Sequence, residues 1–260
     1  MESIKSRASS LGKHIVLPEG EDQRVVAAAA AAVKEGIAEV TLIGNPDEIK
    51  KNNPGVDLTG VKIIDPKTSE KRAGYANILY ELRKAKGMTE EDAEKLSYDN
   101  TYFGVLMLKA GDADGLVSGA CHSTANTLRP GLQIIKTAPG VPLVSSYFLM
   151  IAPECGNQYC EDGCYIYADC GLEQNPDPDK LAYIAVASAK SATFIAGIEP
   201  RIAMLSHSTK GSAKHADVDK VSAALAKAKE IAPELNIDGE LQADAAIVPS
   251  VAKSKAPGSS

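Results

Sequence analysis

Short apolar runs alternate with longer amphipathic segments along the first half of the chain. The strand-like runs, each closed by a turn residue, are HIVLPE, AEVTLIGN, VKIIDP and DGLVSG. The segments between these runs have apolar residues at helical spacing, or residues that typically begin and end helices. They are QRVVAAAAAAVKEG, SEKRAGYANILYELRKAKG, TEEDAEKL and NTYFGVLMLKAG. Strands separated by helices are joined by right-handed crossovers, so this half predicts a parallel sheet.

The second half begins with two strand-like runs in place of this alternation. VPLVSSYFLMIAP and CYIYADCG predict an antiparallel pair. The later segments predict a helix, a strand, a second helix, and then a short strand with a final helix; they are PDKLAYIAVASAKSATFIAG, RIAMLSHST, VDKVSAALAKAKEIAP and NIDGELQADAAIVPSVAKSKAPGSS. The proline-containing segment TAPGVPL marks a boundary, so we expect two α/β domains, residues 1–140 and 141–260, with mainly parallel sheets flanked by helices.

The amino-acid composition restricts the kinds of molecule that this chain is expected to bind. The chain has 260 residues with no Trp and three Phe, so its core is aliphatic, which suits parallel sheets. The 28 basic and 34 acidic residues give a net charge of −6, which argues against nucleic acid or an anionic membrane as partner. Neither a signal peptide nor a membrane-spanning segment is recognisable, so we expect a cytoplasmic protein.

The five cysteines are an odd number, which suits free thiols in a reducing compartment. Four of them lie between Cys155 and Cys170. Zinc binding by this cluster stays open as an alternative, although the paired C-x-x-C spacing is missing. Cys121 precedes His122, and neighbouring side chains on a strand or turn point apart, so a catalytic Cys–His pair is not expected.

A loop rich in hydroxyl groups follows the strand DGLVSG, where ligands of parallel sheets bind. A helix that starts near Thr124 offers free N–H groups, and Arg129 offers a forked cation. The loop therefore fits a phosphate, or its hydroxyl groups only cap the helix. A similar segment, SHSTKGSA, favours a polar loop with a helix cap when taken alone. The hydroxyl groups of the first loop belong to Ser118, Ser123, Thr124 and Thr127.

Six segments in order resemble the phosphate acetyltransferase (phosphotransacetylase) family: VLPEGEDQR, DPKTSEK, YELRKAKG, DGLVSGACHSTANTLRP, MLSHSTKGSAK and IDGELQADAAIVP. The resemblance runs from about Ile4 to Ser259. It implies reversible acetyl transfer between coenzyme A and phosphate, with acetyl-CoA and phosphate as small-molecule substrates and neither a metal nor a permanently bound cofactor. It also implies a homodimer whose subunits have an active-site cleft between two α/β domains, as in isocitrate and isopropylmalate dehydrogenases.

The resemblance assigns roles by position. Arg129 of TLRP matches a catalytic arginine that binds the reacting phosphate, and Ser123 and Thr127 match the hydroxyl loop around acetyl phosphate. Arg83 of YELRK and Arg24 of EDQR match arginines that serve coenzyme A. In the family, an aspartate base converts the coenzyme A thiol to a thiolate, which attacks the acetyl phosphate carbonyl directly.

Two further points follow from the resemblance. Cys155 matches a reactive cysteine near the family's active site that is not the nucleophile. The family sequence continues beyond KAPGS with a segment that carries the aspartate base, whereas this chain ends at Ser260, so we expect the 260-residue chain to be impaired in acetyl transfer. Asp112 and Asp114 could serve as substitute bases, but no motif supports either.

Three alternatives remain open. A phosphate butyryltransferase would share the fold and the phosphate loop, although VLPEGEDQR and SHSTKGSA are closer to the acetyl enzyme. A module that binds coenzyme A or phosphate without turnover is the second alternative. An NAD(P)-linked hydroxyacid dehydrogenase is the third, but its metal-binding carboxylate cluster has no counterpart in the sequence.

Overall fold

The structure is a computed structural model that describes residues 2–155 and 163–259, without the side chain of Cys155. The chain divides into two compact units, Met1–Lys136 and Thr137–Ser260. The division falls directly before the proline-containing segment that begins at Thr137.

The first unit is a parallel sheet flanked by helices, as predicted. Its strands pair in the order β3-β2-β1-β4. They are β1 His14–Leu17, β2 Glu39–Ile43, β3 Lys62–Ile64 and β4 Gly115–Leu116. The helices are α1 Glu2–Leu11, α2 Gln23–Lys34, α3 Pro46–Asn52, α4 Arg72–Arg83, α5 Glu90–Leu96, α6 Asn100–Ala110 and α7 Thr124–Ile134, with a short 3₁₀ helix at Lys84–Lys86.

The two faces of this sheet are buried against different helices. Val40 and Leu42 alternate along β2 and pack against Val26 of α2. On the opposite face, Val16 packs in a cluster that includes Phe103 of α6. Helix α6 is buried over most of its length, as its apolar sequence predicts, because it lies directly on β1 and β4.

The second unit contains two separate strand pairs. The predicted antiparallel pair is confirmed as β5 Phe148–Ile151 with β6 Cys164–Tyr167. The other pair is parallel and consists of β7 Arg201–Leu205 and β8 Asn236–Leu241. The helices are α8 Pro178–Ser191, which continues into a π-helical turn at Ala192–Ala196, α9 Ala216–Ile231, α10 Ala243–Ile247 and α11 Pro249–Lys255.

The single helix predicted at the end of the second unit is wrong, since two short helices stand there. Val248 precedes a proline and takes an extended conformation, with φ −107° and ψ 108°. Pro249 then begins α11 as its first helical residue. The core of this unit is rich in alanine, so α8 and α9 pack closely at Ala182 and Ala224. Among the described residues, no helix combines the length and the apolar character that crossing a membrane requires.

Candidate active site

The loop that leaves β4 is held by the carboxylate of Glu19, which follows the neighbouring strand β1. Glu19 Oε2 accepts the N–H groups of Gly119 at 2.8 Å and Ala120 at 2.9 Å. Oε1 accepts the N–H of Cys121 at 3.0 Å. The Glu19 residue is only 1% exposed, so the loop is built around a buried carboxylate. Because β1 and β4 are parallel neighbours, their carboxyl ends bring these residues together.

Glu19 stays ionised inside the protein because its hydrogen bonds outweigh its burial. Burial raises its pKa, but the Cys121 N–H, His122 and the N–H groups of Ala120 and Gly119 lower the pKa to about 2. His122 Nδ1 lies 2.8 Å from Glu19 Oε1. This hydrogen bond raises the pKa of His122 against the opposing effect of burial. The hydrogen bond to Glu19 therefore stabilises the imidazolium form of His122 relative to the neutral ring.

The expectation that Cys121 and His122 point apart is wrong. Cys121 Sγ lies 3.5 Å from His122 Nδ1 and 3.5 Å from Glu19 Oε1, because the loop bends and the carboxylate draws both side chains to one side. The thiol is nevertheless not activated. Burial raises the pKa of Cys121 to about 11, and the nearby carboxylates of Glu19 and Glu21 add to the shift. A thiolate nucleophile is therefore disfavoured at this position.

Helix α7 carries three of the predicted site residues. Ser123 is its N-cap, and its Oγ accepts the N–H of Asn126 at 3.3 Å, so this hydroxyl performs the capping role. Thr127 lies one turn later and faces the loop: a Cβ added to Gly119 would stand 4.0 Å from Thr127 Oγ1. Arg129 is exposed and takes part in no hydrogen bond or ion pair within the part of the chain that the structure describes.

Three buried side-chain atoms lack a hydrogen-bond partner among the described residues: Arg83 Nε, Ser118 Oγ and Thr127 Oγ1. Buried polar atoms in folded proteins nearly always have a partner, and leaving one unpaired costs about 1–3 kcal/mol. Ser118 lies in the loop after β4 and Thr127 in the first half of α7, whereas Arg83 ends α4. Unpaired donors at this position fit an oxygen-rich ligand that completes their hydrogen bonds.

The charges of two arginines from different helices act on Tyr102, a residue that the sequence did not single out. Burial raises the pKa of Tyr102, whereas the positive charges of Arg129 and Arg83 oppose that shift. The hydroxyl donates to Gln133 Oε1 at 2.9 Å. The end of α4, which carries Arg83, and the first half of α7, which carries Arg129, therefore place two cations within electrostatic range of one hydroxyl. Such a pair suits a ligand with more than one negative charge.

Arg24 connects the start of α2 to the same loop. Its Nη2 lies 2.6 Å from Asp22 Oδ2 and donates to the Ala120 carbonyl at 2.7 Å. Cys155 ends a short 3₁₀ helix, Pro153–Cys155, in the second unit, and its side chain lies outside the described residues. Cys160 also lies outside them, so the proposed zinc cluster is only partly described. Cys170 carries a free thiol, and Cys164 is the first residue of β6.

Asp112 and Asp114 lie at the opposite end of the sheet from this loop. Asp112 pairs with Lys71 and accepts the Tyr75 hydroxyl at 2.6 Å. Asp114 accepts the N–H of His14, the first residue of β1, at 2.9 Å. The Lys71 hydrogen bond lowers the pKa of Asp112, and the His14 N–H lowers that of Asp114. Both carboxylates therefore stabilise the amino end of the sheet and are unsuited to act as the base.

The SHSTKGSA segment of the second unit is held by its own buried carboxylate. Glu240 accepts the Ser208 hydroxyl at 2.8 Å and the Gly211 N–H at 2.7 Å. Burial raises the pKa of Glu240, but these hydrogen bonds outweigh it and lower the pKa. Lys210 pairs with Asp238 at 2.5 Å. The donors named here are used within the unit, which fits the interpretation as a structural polar loop.

A cavity of about 650 Å³ also lies in the second unit, beside β7 and α8. Its lining is mostly aliphatic, with Ile184, Met204 and Leu241 among its members. It contains none of the arginines and hydroxyl residues assigned to the site. The loop of the first unit is therefore the better candidate for chemistry on anions.

Comparison with known proteins gives a consistent result. The family described as phosphate acetyl/butaryl transferase matches residues 1–260. A phosphate acetyltransferase from Acetivibrio thermocellus is 56% identical over 260 residues, which cover 100% of this chain and 78% of that protein. A phosphate acetyltransferase from Thermoanaerobacterium thermosaccharolyticum is 52% identical over 259 residues, which cover 100% of this chain and 78% of that protein.

The solved structures agree with the sequence relatives. A phosphotransacetylase from Streptococcus pyogenes matches with a TM-score of 0.89 and 43% identity, covering 99% of this chain and 77% of that chain. The match confirms the mixed α/β fold with mainly parallel strands and flanking helices. Since the family match spans the whole chain, and relatives above half identity cover it completely, this chain belongs to the phosphate acetyl/butaryl transferase family.

Proposed function

We propose that this chain catalyses reversible acetyl transfer between coenzyme A and phosphate, with acetyl-CoA and phosphate on one side and coenzyme A and acetyl phosphate on the other. The observation that carries the proposal is the group of unpaired donors at the carboxyl end of the first sheet. Ser118 Oγ and Thr127 Oγ1 are buried hydroxyl oxygens without a partner among the described residues, and Arg129, two residues after Thr127 on α7, is exposed and forms no hydrogen bond or ion pair with those residues.

These residues suit the phosphate half of the reaction. In the direction of acetyl-CoA formation, the thiolate sulfur of coenzyme A bonds to the acetyl carbonyl carbon. The bond from that carbon to the phosphate oxygen then breaks, and phosphate leaves with the electron pair. Arg129 and the hydroxyl groups bind the phosphate oxygens as they gain charge. Preorganised donors of this kind supply a large part of the rate in acyl transfer.

Glu19 and His122 act as positioning residues in this proposal. The ionised Glu19 carboxylate fixes the loop backbone from Gly119 to Cys121. His122 is held beside the loop by the same carboxylate. The hydroxyl groups of Ser118 and Thr127 are thereby aimed before the substrate arrives, which lowers the cost of binding.

The finer assignments rest on the resemblance and stay proposals. Ser123 would add its hydroxyl to the acetyl phosphate site, Arg83 and Arg24 would bind coenzyme A, and Cys155 would lie near the active site. Coenzyme A would act as a substrate. The homodimer, the dehydrogenase-like arrangement of domains and the cytoplasmic location also stay predictions, as does impaired activity of the 260-residue chain.

The acetyl group is the favoured acyl group, because relatives at 45–56% identity are named phosphate acetyltransferases. The family description also includes the butyryl enzyme. Comparing kcat/KM on acetyl and butyryl phosphate tests the preference. A higher value for butyryl phosphate would contradict the proposal.

The direct test follows thioester absorbance with the purified chain, coenzyme A and acetyl phosphate. We expect Arg129→Ala to lower kcat by about 100-fold or more, the usual effect of removing one donor to the charge that develops during the reaction. Arg7→Ala removes an arginine of α1 that is not among the assigned site residues, and serves as the matched control.

If the chain turns over too slowly to compare, binding of inorganic phosphate by calorimetry replaces the rate. Binding that Arg129→Ala abolishes and Arg7→Ala preserves would support the phosphate site together with the predicted impairment. Equal turnover or equal phosphate binding by the wild-type chain and Arg129→Ala would overturn the proposal. A wild-type chain that shows neither activity nor phosphate binding would do the same.

A further inference from the structure

Glu19, Cys121 and His122 bring three different metal-ligand atoms to one point at the base of the loop. Cys121 Sγ lies 3.5 Å from Glu19 Oε1 and 3.5 Å from His122 Nδ1, and the oxygen and nitrogen are 2.8 Å apart. Glu21 Oε1 lies 3.8 Å from Cys121 Sγ and 3.9 Å from His122 Nε2, so this carboxylate stands near the three ligand atoms but outside their cluster. The reaction proposed above does not use this thiol.

The separations are close to those of a tetrahedral zinc site. With ordinary zinc bond lengths, a sulfur ligand lies about 3.5 Å from an oxygen ligand and about 3.6 Å from a nitrogen ligand. Both separations already exist around Cys121. The oxygen and nitrogen of such a site lie about 3.3 Å apart, so Glu19 and His122 must separate by about 0.5 Å. That movement is expected once the proton between them has left.

We propose that Glu19, Cys121 and His122 bind a thiophilic divalent cation of the zinc class, with the fourth position open to solvent. On binding, the thiol of Cys121 and Nδ1 of His122 each release a proton to solvent, and the metal forms one bond to each atom. Glu19 Oε2 keeps its two backbone N–H partners. Sulfur and imidazole donors select zinc-like ions over Mg²⁺ and Ca²⁺, which prefer oxygen ligands.

Access and local charge both favour a cation here. Cys121 and Glu21 are exposed and His122 is partly exposed, which leaves a route from solvent to the buried Glu19. Two carboxylates lie beside the thiol, with Glu19 Oε1 at 3.5 Å and Glu21 Oε1 at 3.8 Å from Cys121 Sγ. Their negative charge attracts a divalent ion, and a bound ion supplies the charge that stabilises a thiolate.

The occupied site would stabilise the loop from outside the phosphate position. The ligands come from the segment after β1 and from the two residues before Ser123, the cap of α7. The metal would therefore join the end of one strand to the helix that carries Thr127 and Arg129. It would take no part in the chemistry proposed above.

Titration of the full chain with Co²⁺ tests the proposal. We expect one equivalent of Co²⁺ to give the thiolate-to-metal charge-transfer band of a tetrahedral site, and Zn²⁺ to displace it. Cys121→Ser should remove the band and weaken binding by at least about 100-fold, the upper end of what loss of an outer-shell partner costs. Cys170→Ser, a free thiol elsewhere, is the matched control and should keep both.

A second measurement uses the wild-type chain, so its result does not depend on whether a substituted chain folds. Zn²⁺ should protect Cys121 of the wild-type chain from alkylation by iodoacetamide, read by peptide mass spectrometry. Unchanged alkylation of Cys121 in the presence of Zn²⁺ would overturn the proposal. So would a wild-type chain that binds neither ion, or a charge-transfer band that survives in Cys121→Ser.

Discussion

Replacing Glu19 by glutamine tests the idea that a buried carboxylate builds the phosphate loop. Glutamine has nearly the same shape, but its amide nitrogen is a donor. One carboxylate oxygen accepts from Gly119 and Ala120, and the other accepts from Cys121 and His122. The amide nitrogen of glutamine must replace one of the two carboxylate oxygens. The N–H groups that donated to that oxygen then face another donor and lose their acceptor.

The size of the effect follows from the pKa of Glu19. A fall from its ordinary value of 4.5 to about 2 corresponds to about 3 kcal/mol of stability at neutral pH. Because the folded-state pKa is the lower one, this stability is present above pH 4.5 and is lost as the pH falls toward 2. The wild-type advantage over Glu19→Gln should shrink across that window.

Urea unfolding at a series of pH values measures this difference in the free energy of unfolding. Glu39→Gln is the matched control, since it makes the same change at an exposed ion pair with Lys62 in the same unit. An exposed pair contributes about 0–1 kcal/mol. The role of Glu19 is refuted if Glu19→Gln is no less stable than Glu39→Gln at pH 7. It is also refuted if the difference in the free energy of unfolding between the wild-type chain and Glu19→Gln is the same at acidic pH.

Two further predictions concern single side chains. Thr127→Val removes a buried hydroxyl without a partner among the described residues, so thermal stability should stay within about 0.5 kcal/mol while phosphate binding weakens by about tenfold. Lost stability with unchanged phosphate binding would contradict this. Glu240→Ala should destabilise the second unit by about 1–3 kcal/mol in urea unfolding, because Ser208 and Gly211 both donate to Glu240 Oε1 and lose that acceptor. Glu230→Ala, at an exposed position of α9, is its control, and equal unfolding of the two variants would refute the role of Glu240.

The main strands and helices of the first unit could be predicted because their patterns are local. The apolar alternation in β2 and the long apolar face of α6 are both readable in the sequence. Helix α1 was missed because none of its residues is buried, so no hydrophobic pattern marks it. Helix α3 buries only Ile49, although Asn45 followed by Pro46 is a recognisable helix start.

Only part of the candidate active site could be predicted from the sequence, because only part of it lies within one local segment. Ser123, Thr127 and Arg129 lie in one short segment, where helix and loop signals occur together. Glu19 lies 100 residues from Gly119, and only the pairing of β1 with β4 brings them together. An acidic residue after a buried strand is a weak signal, since most such residues stay in solvent.

The Glu19 carboxylate occupies the position that phosphate itself would take in a glycine-rich nucleotide loop. Three consecutive backbone N–H groups, from Gly119 to Cys121, already bind a resident anion. The substrate anion must therefore be bound mainly by arginine and hydroxyl side chains, which makes its affinity sensitive to ionic strength. An engineer who wished to graft a nucleotide-binding loop here would first have to remove the protein's own anion.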